Sequence, residues 1–231
     1  MIVSHEHKFI FIKTVKTAGT SIEIALCEIC GPGDIITPIS GKDEKIRSEM
    51  KIRGPQNTLV PFNKYRWDDW LFLLRKLRRV RYYNHVPARK IRQWIGKEIW
   101  DSYYKFCFER NPYDKVVSHY FWKGGEEKFG SISRYLTSWR RKKIEAWRQY
   151  TIDGELAVDK IYRFENIEEA LLDLTDQLHL DNRITLPKVK TKSSSRKDKR
   201  HWREILTDEE KARIKALFDK SFKLMNYGPE T

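Results

Sequence analysis

The sequence predicts a single α/β domain in which helices flank a central, mainly parallel sheet. Apolar strand candidates alternate along the chain with amphipathic helix candidates, and 231 residues are enough for one well-packed core and hardly enough for two. Hydrophobic residues make up 40% and aromatic residues 13%, which supplies that core although 34% of the residues are charged. We therefore expect residues 1–231 to fold as one unit.

The first strand and the first helix are separated by a short turn of small residues. Residues 9–12, Phe-Ile-Phe-Ile, read as a buried strand, and residues 22–29 carry apolar side chains at helical spacing, with Thr20 or Ser21 as the expected N-cap. The backbone N–H groups and the positive end of the helix dipole converge on such a turn. Because Gly19 allows close approach and Lys16 adds a charge, the turn is predicted to bind a phosphate group.

The next part of the chain is expected to be irregular and then helical. Residues 31–65 are rich in Gly and Pro and lack periodicity, which predicts a long irregular insertion. Residues 67–80 have apolar positions at helical spacing. A second helix is predicted over 85–96, with Pro87 near its first turn and Gly96 at its end.

The second half of the chain repeats the alternation of strands and helices. Residues 103–109 form the next strand candidate, after which Pro112 is suited to open a helix. Four further elements follow, namely a helix over 132–150, a strand over 159–167 that ends near Glu165, a helix over 167–180 and a last helix over 207–222. Thr207 and Glu210 are placed to form a capping box on the last helix.

Composition restricts the partners and the compartment. The formal net charge of +14 predicts anionic partners, and the basic residues cluster in 75–92 and 188–203, although solvated helix faces are the ordinary alternative. Cys27 and Cys30 have C-x-x-C spacing without a second pair, so buried thiols are expected rather than a metal site or a disulfide framework. With no signal-like or membrane-spanning apolar run in the sequence, the expected location is cytoplasmic.

A second motif refines the phosphate chemistry. A nucleoside-triphosphatase loop has the pattern G-x-x-x-x-G-K-[ST], whereas here Lys16 precedes Gly19, so the spacing excludes that loop. Arg110 follows the strand at 103–109, and Ser118 comes about two helical turns later, so both can reach one phosphate. Two phosphate sites suit a nucleotide that is phosphorylated at both its 5′ and 3′ positions.

At these two motifs the sequence resembles the sulfotransferases that use 3′-phosphoadenosine 5′-phosphosulfate (PAPS), in particular the carbohydrate branch that includes heparan 2-O-sulfotransferase. That family has a Lys-Thr-[Ala/Gly]-[Gly/Ser]-Thr-Ser loop for the 5′-phosphosulfate and an Arg-Asn-Pro-x-x-[Lys/Arg]-x-x-Ser-x-Tyr element for the 3′-phosphate. This chain has KTAGTS at 16–21 and RNPYDKVVSHY at 110–120, in the same order. Val15 departs from the proline that often precedes the lysine. The resemblance implies a P-loop-like sulfotransferase fold.

The resemblance also implies roles for the motif residues. Lys16 would contact the sulfuryl group and the bridging oxygen of the leaving phosphate, where negative charge accumulates. Arg110 and Ser118 would bind the 3′-phosphate, against the alternative that Arg110 pairs with a carboxylate such as Glu109. The remaining loop residues would bind the cofactor largely through backbone N–H groups; they are Thr17, Ala18, Gly19, Thr20 and Ser21.

His85 is the candidate general base, since related carbohydrate sulfotransferases are similar in placing a histidine between the two motifs. A helix cap or a surface position is the ordinary alternative for such a residue. His5, His7 and His119 are rival bases, and a glutamate could serve instead.

Two other groups of residues are weaker candidates. In the basic segment at 188–203, Ser194, Ser195 and Arg196 are candidate cofactor ligands of a flap that closes over the phosphates, as in related enzymes, and a basic linker is the alternative. Trp122, Trp139 and Trp147 could stack on a sugar ring, but helical spacing makes core packing the default for the last two.

The predicted reaction is transfer of a sulfuryl group from PAPS to a hydroxyl acceptor, with a carbohydrate as the expected class and no metal required. The excess of positive charge suggests an anionic glycan. A nucleotide kinase is the first alternative, but it needs a Gly-Lys-[Ser/Thr] loop and magnesium-binding aspartates. A basic nucleic-acid-binding module is the second alternative; no recognised motif supports it, so no stable nucleic acid partner is expected.

Overall fold

The central feature of the fold is a five-stranded sheet. The structure is a computed structural model that describes residues 1–187, 198 and 200–228. This sheet and a separate two-stranded sheet are built from β1 (Ile2–Ser4), β2 (Phe9–Ile12), β3 (Ile35–Ile36), β4 (Tyr104–Glu109), β5 (Thr151–Ile152), β6 (Glu155–Leu156) and β7 (Lys160–Arg163). The sheet order is β3-β1-β2-β4-β7, and β5 and β6 form a separate antiparallel pair.

Helices surround this sheet. They are α1 (Gly19–Cys27), α2 (Gly41–Glu49), α3 (Trp67–Lys76), α4 (Ala88–Ile95), α5 (Lys97–Ser102), α6 (Pro112–Trp122), α7 (Gly125–Phe129), α8 (Ile132–Thr137), α9 (Trp147–Tyr150), α10 (Ile167–Gln177), α11 (Trp202–Ile205), α12 (Asp208–Leu217) and α13 (Asp219–Met225). Short 3₁₀ helices occupy Phe62–Lys64, Trp139–Lys143 and Phe164–Asn166.

The sheet is mostly parallel, as predicted. β2 pairs in parallel with β4, and β4 pairs in parallel with β7. β1 was not predicted from the sequence; it forms an antiparallel hairpin with β2 and also pairs antiparallel with β3. The predicted phosphate turn and Arg110 follow the carboxyl ends of two adjacent parallel strands, so the sheet brings them to the same edge.

Both faces of the sheet are covered, which explains why β2 is a continuous apolar run. Ile10 and Ile12 point to the face that is covered mainly by α4, whereas Phe9 and Phe11 point to the face that is covered by α1 and α10. A third core joins α6, α8, α11, α12 and α13. The architecture is thus one mixed α/β domain with helices on both faces of its sheet.

Three predictions of local structure are wrong. Neither Thr20 nor Ser21 caps α1, because Ala18 takes a left-handed conformation at the N-cap position and the helix begins at Gly19. The segment 31–65 is not irregular throughout, since it contains β3 and α2, and the side chain of Ser40 caps α2 by accepting a hydrogen bond from the Asp43 N–H.

The third wrong prediction is the single helix over 132–150. It is three short pieces, because Ser138 has an extended backbone and its hydroxyl donates to the carbonyl of Tyr135 at 2.7 Å, which ends α8. Trp139, which was expected in the core by default, is consequently exposed. By contrast, Pro87 and Gly96 flank α4 as predicted, and Thr207 and Glu210 form the predicted capping box.

Within the described part of the chain, no helix combines the length and the apolar character needed to cross a membrane.

Candidate active site

The turn between β2 and α1 has an unusual backbone. Lys16 (φ 64°) and Ala18 (φ 54°) both lie in the left-handed region, which non-glycine residues rarely adopt. Alternation of left-handed and ordinary residues turns successive backbone N–H groups toward one side and forms an anion-binding concavity. Since α1 begins at Gly19, the unpaired N–H groups of its first turn open on the same turn.

The side chain of Lys13 packs beneath this turn, which explains why residue 19 is a glycine. A Cβ atom at Gly19 would lie 2.8 Å from Cγ and 3.1 Å from Cε of Lys13. The Lys13 side chain is buried, and its Nζ donates to Glu23 Oε2 at 2.5 Å. Gly19 is therefore required by the lysine stem that crosses under the helix, in addition to any close approach of a ligand.

Glu23 anchors Lys13 from inside α1. Its carboxylate is fully buried, and it also accepts from the Met1 amine at 2.9 Å and from Thr37 Oγ1 at 3.1 Å. Burial by itself would raise the pKa of Glu23, but the positive charges of the Met1 amine and Lys13 outweigh it and lower the pKa to about 2. Neither Lys13 nor Glu23 was predicted from the sequence. The available signals were a charged residue directly after the apolar run 9–12 and another within the apolar positions of the first helix.

Hydrogen bonds tie the turn to the neighbouring strand. Thr14 Oγ1 donates to the carbonyl of Phe108 at the end of β4, and it lies 2.9 Å from Thr17 Oγ1. Thr17 and Thr20 are buried, so the hydroxyl of Thr17 serves the folding of the turn itself. This is compatible with the expectation that ligand contacts of the turn come mainly from backbone groups.

Arg110 brings the second motif against the first. Its Nη1 donates to the carbonyl of Lys16 at 3.2 Å, and its Nε donates to Asp114 Oδ2 at 2.8 Å. The guanidinium carbon lies 4.3 Å from the ring centroid of Phe164. Arg110 thus does pair with a carboxylate, but the partner is Asp114 rather than Glu109.

Glu109 has a different role from the one considered for it. Its buried carboxylate pairs with Lys115 and accepts from the hydroxyl of Tyr150 at 3.2 Å. It also accepts from the backbone N–H of Arg110 at 3.0 Å. Glu109 therefore fixes the backbone from which the Arg110 side chain projects.

Ser118 lies on the helix that follows Arg110. Asn111 caps α6 by accepting from the Tyr113 N–H at 3.0 Å, and Pro112 occupies the first turn as predicted. Ser118 is half-buried and lies one turn before Trp122, on the same helix face. Because Lys16 Nζ is 5.4 Å from the ring centroid of Trp122, the lysine extends toward that face of α6.

His85 contacts the residue that directly follows β2, where the same turn begins. Its Nδ1 is 2.9 Å from the carbonyl oxygen of Lys13, and since a carbonyl can only accept, Nδ1 carries the hydrogen and Nε2 the lone pair. Burial, followed by the charge of Lys13, lowers the pKa of His85 to about 4. His85 is therefore neutral at neutral pH, with a nitrogen able to accept a proton.

The rival histidines are placed differently. His5 and His7 belong to the β1–β2 connection at the opposite edge of the sheet, where His5 Nδ1 lies 2.8 Å from the hydroxyl of Tyr103. His119 is buried, and its Nδ1 lies 2.6 Å from the hydroxyl of Tyr135. Of the named histidines, His85 is the one in contact with the phosphate turn.

The structure brings together most of the predicted site. The turn that follows β2 contains Lys16. It is bordered by Arg110, by His85 and by the face of α6 that carries Ser118. Ser194, Ser195 and Arg196 lie outside the described residues. Trp122 is in contact with Lys16, a predicted site residue.

Comparison with known proteins identifies the family of this chain. The model of the sulfotransferase family matches residues 1–228, which is nearly the whole chain. An uncharacterized protein of Archaeoglobus fulgidus is 34% identical over 105 residues, which cover 43% of this chain and 87% of that protein. No solved structure gives a significant match. With the family model matched from end to end, the chain belongs to the sulfotransferase family and is an enzyme of sulfuryl transfer.

Proposed function

We propose that this sulfotransferase uses PAPS as its donor and a carbohydrate hydroxyl as its acceptor. The observation that carries the proposal is the 3.2 Å hydrogen bond from Arg110 Nη1 to the carbonyl of Lys16, which joins the two phosphate motifs. PAPS carries a phosphosulfate at its 5′ position and a phosphate at its 3′ position. A donor with two separate anionic groups fits two adjacent cationic sites, one in the turn and one beside α6.

The 5′ end is assigned to the turn of residues 16–21. The left-handed backbone at Lys16 and Ala18 and the start of α1 supply N–H donors without any side-chain rearrangement. The 3′-phosphate is assigned to Arg110 and Ser118. Asp114 orients the guanidinium, so Arg110 is already held beside the turn.

The proposed reaction uses His85 as the base and Lys16 as the electrostatic stabiliser. Nε2 of His85 accepts the proton of the acceptor hydroxyl while the acceptor oxygen bonds to sulfur. The bond from sulfur to the phosphate oxygen breaks, and its electron pair stays on the departing 3′-phosphoadenosine 5′-phosphate (PAP). The Lys16 ammonium offsets the charge that develops on that oxygen, which is the largest kind of contribution expected in such transfers.

A large cavity next to the His85 segment is the proposed acceptor site. Its volume is about 920 Å³, and its lining includes Tyr83, two residues before His85. Its charged lining has more cations than carboxylates and consists of Arg78, Arg79, Arg81, Lys90, Asp68 and Asp69. These cations suit an acceptor with carboxylate or sulfate groups, so we propose an anionic glycan such as one that contains uronic acid.

Calorimetric titration with PAP, AMP and ATP tests the donor assignment. PAP should bind more tightly than AMP by about 30-fold or more, because a charge-assisted bidentate contact contributes about 2 kcal/mol. The variant Arg110→Met should reduce that preference toward unity and leave AMP binding nearly unchanged. Arg213→Met, at an exposed position on α12, is the matched control. Equal affinity of the unaltered protein for all three nucleotides would refute the two-site reading, and preference for ATP would favour a kinase.

Mass spectrometry of products tests the acceptor. The protein is incubated with PAPS and a panel of neutral, uronic-acid-containing and already sulfated glycans. A mass gain of one sulfo group on the anionic members is expected, together with release of PAP. Transfer to neutral glycans alone would contradict the proposed acceptor class while leaving the donor assignment intact.

A further inference from the structure

The surface helix α3 exposes an unpartnered apolar stripe. Trp67, Trp70, Leu74 and Leu77 follow one another at helical spacing, the last at the C-cap position, and are 73%, 44%, 72% and 87% exposed. Isolated exposed apolar side chains are common, but a contiguous stripe of this size marks an interaction surface. We call these four residues the α3 stripe.

The stripe cannot turn inward, because polar contacts hold the other face of α3 against the protein. Asp69 is buried, and its carboxylate accepts from the backbone N–H of Arg66 at 3.0 Å and from Lys90 Nζ at 3.2 Å. It also accepts from Gln93 and from Trp94 Nε1. Rolling the helix would break these hydrogen bonds and leave the N–H of the buried Trp94 side chain without its acceptor, so the fold fixes the apolar side toward solvent.

An aromatic neighbour widens the apolar surface. The ring of Phe62, 45% exposed, stacks on that of Trp70 with centroids 5.8 Å apart. The guanidinium carbon of Arg79 lies 4.4 Å from the Phe62 centroid. The surface therefore combines aromatic rings, aliphatic side chains and a cation within contact distance.

Exposed positive charges border the stripe. Arg75 and Lys76 lie in the last turn of α3, and Arg78 and Arg79 follow directly. Lys90 pairs with both Asp68 and Asp69 and cancels one of their two negative charges, so the four basic residues beside the stripe keep most of their positive charge. Indole rings and leucines flanked by arginine and lysine are the composition of helices that lie in the interface of an anionic bilayer.

We propose that α3 docks this protein on an anionic lipid surface, with the α3 stripe in the interfacial region and Arg75, Lys76, Arg78 and Arg79 against the lipid headgroups. Charge complementarity favours this occupant over a second copy of the chain, because pairing two copies through the stripe would bring their basic clusters together. The proposed lipid-binding surface adjoins the proposed acceptor cavity, because Arg78 and Arg79 also line that cavity. The variants used below change Trp67, Leu74, Arg75 and Lys76, which lie outside the cavity lining, so they test lipid docking separately from acceptor binding.

Vesicle co-sedimentation tests the proposal with the full chain. Vesicles of phosphatidylcholine alone are compared with vesicles of phosphatidylcholine mixed with phosphatidylglycerol. The protein should sediment with the mixed vesicles only, less so as salt is raised, and its tryptophan emission should shift to shorter wavelength when it binds. Trp67→Ser with Leu74→Gln should weaken binding by about tenfold or more, since two large apolar groups then stay in water.

Matched variants separate the stripe from general surface effects. Trp139→Ser with Leu156→Gln removes two exposed apolar side chains elsewhere and should leave binding unchanged. Arg75→Glu with Lys76→Glu should weaken binding more than about tenfold, because each cation near an anionic surface contributes about fivefold. Arg213→Glu with Lys215→Glu on α12 changes the net charge equally and should have a much smaller effect.

Several outcomes would overturn the proposal. Equal sedimentation with neutral vesicles would remove the role of charge, and unchanged binding of the Trp67→Ser, Leu74→Gln variant would remove the role of the stripe. If the unaltered protein is a dimer without lipid and that variant is a monomer, the stripe is a subunit interface instead. Should the stripe variant fail to fold, the charge-reversal pair and the emission shift still decide the question.

Discussion

The clearest quantitative prediction concerns His85 and pH. Burial and the nearby Lys13 lower the pKa of His85 from 6.5 to about 4, so the folded chain holds His85 neutral. Between those two pH values the unfolded chain binds a proton at this residue and the folded chain does not. The free energy of unfolding therefore falls as the pH is lowered from about 6.5 to about 4. It returns to its full value when the pH is raised above that range.

The variant His85→Asn removes this dependence without forcing the backbone. His85 has a φ of 61°, and asparagine tolerates the left-handed region better than most residues. From about pH 7.5 to about pH 4.5, the free energy of unfolding of the unaltered protein should fall by about 2.5 kcal/mol more than that of the variant. Acidic groups that titrate in the same range, such as Asp34, are common to both proteins and cancel in the difference.

Urea denaturation at a series of pH values measures this difference. His179→Asn is the matched control, because His179 also has a positive φ of 52° but is exposed. The free energy of unfolding of the His179→Asn variant should change with pH in the same way as that of the unaltered protein over the whole series. Parallel profiles for His85→Asn as well would refute the reasoning, since they would mean that His85 is equally protonated in the folded and unfolded chains.

Three further predictions concern the turn after β2. Gly19→Ala should destabilise the fold by about 1–3 kcal/mol in urea denaturation, because the new methyl group meets the stem of Lys13, whereas Gly33→Ala, with open space around it, should be nearly neutral. Glu23→Gln should cost about 3–5 kcal/mol in the same assay, since it leaves the Lys13 ammonium buried without its counter-charge; a loss below about 1 kcal/mol would show that water reaches the site. Lys16→Met should lower the rate of sulfuryl transfer at least 100-fold, by about 3 kcal/mol of barrier, with an unchanged melting temperature, and a proportionate loss of both would indicate a structural role instead.

The elements that sequence patterns predicted well are those in which local chemistry and tertiary packing agree. α6 begins where Pro112 has its φ fixed for a helix start, and β4 is an apolar run because helices cover both faces of the sheet. The two strand-to-helix junctions that carry the predicted phosphate motifs were predicted for the same reason. Each follows a strand and opens a helix, so its residue types are constrained by the turn itself.

The misses have a different cause, since they depend on contacts between distant parts of the chain. α2 has no apolar periodicity, and its stability comes from the Ser40 cap and the buried Arg47. α3 does have the predicted helical spacing, but the buried residue on it is Asp69, so its apolar side lies in water. Lys13 could not be recognised as part of the site, because its role follows from Glu23 inside another element.

Lys13 has a consequence for how this enzyme can change over evolution. Its carbonyl orients the ring of His85, while its ammonium reaches through the interior to Glu23. If the turn binds the donor and His85 is the base, as proposed, donor binding and proton abstraction depend on the same residue and cannot be tuned separately there. Adaptation to a new acceptor is more readily achieved by substitutions in the cavity wall, which leave this shared support untouched.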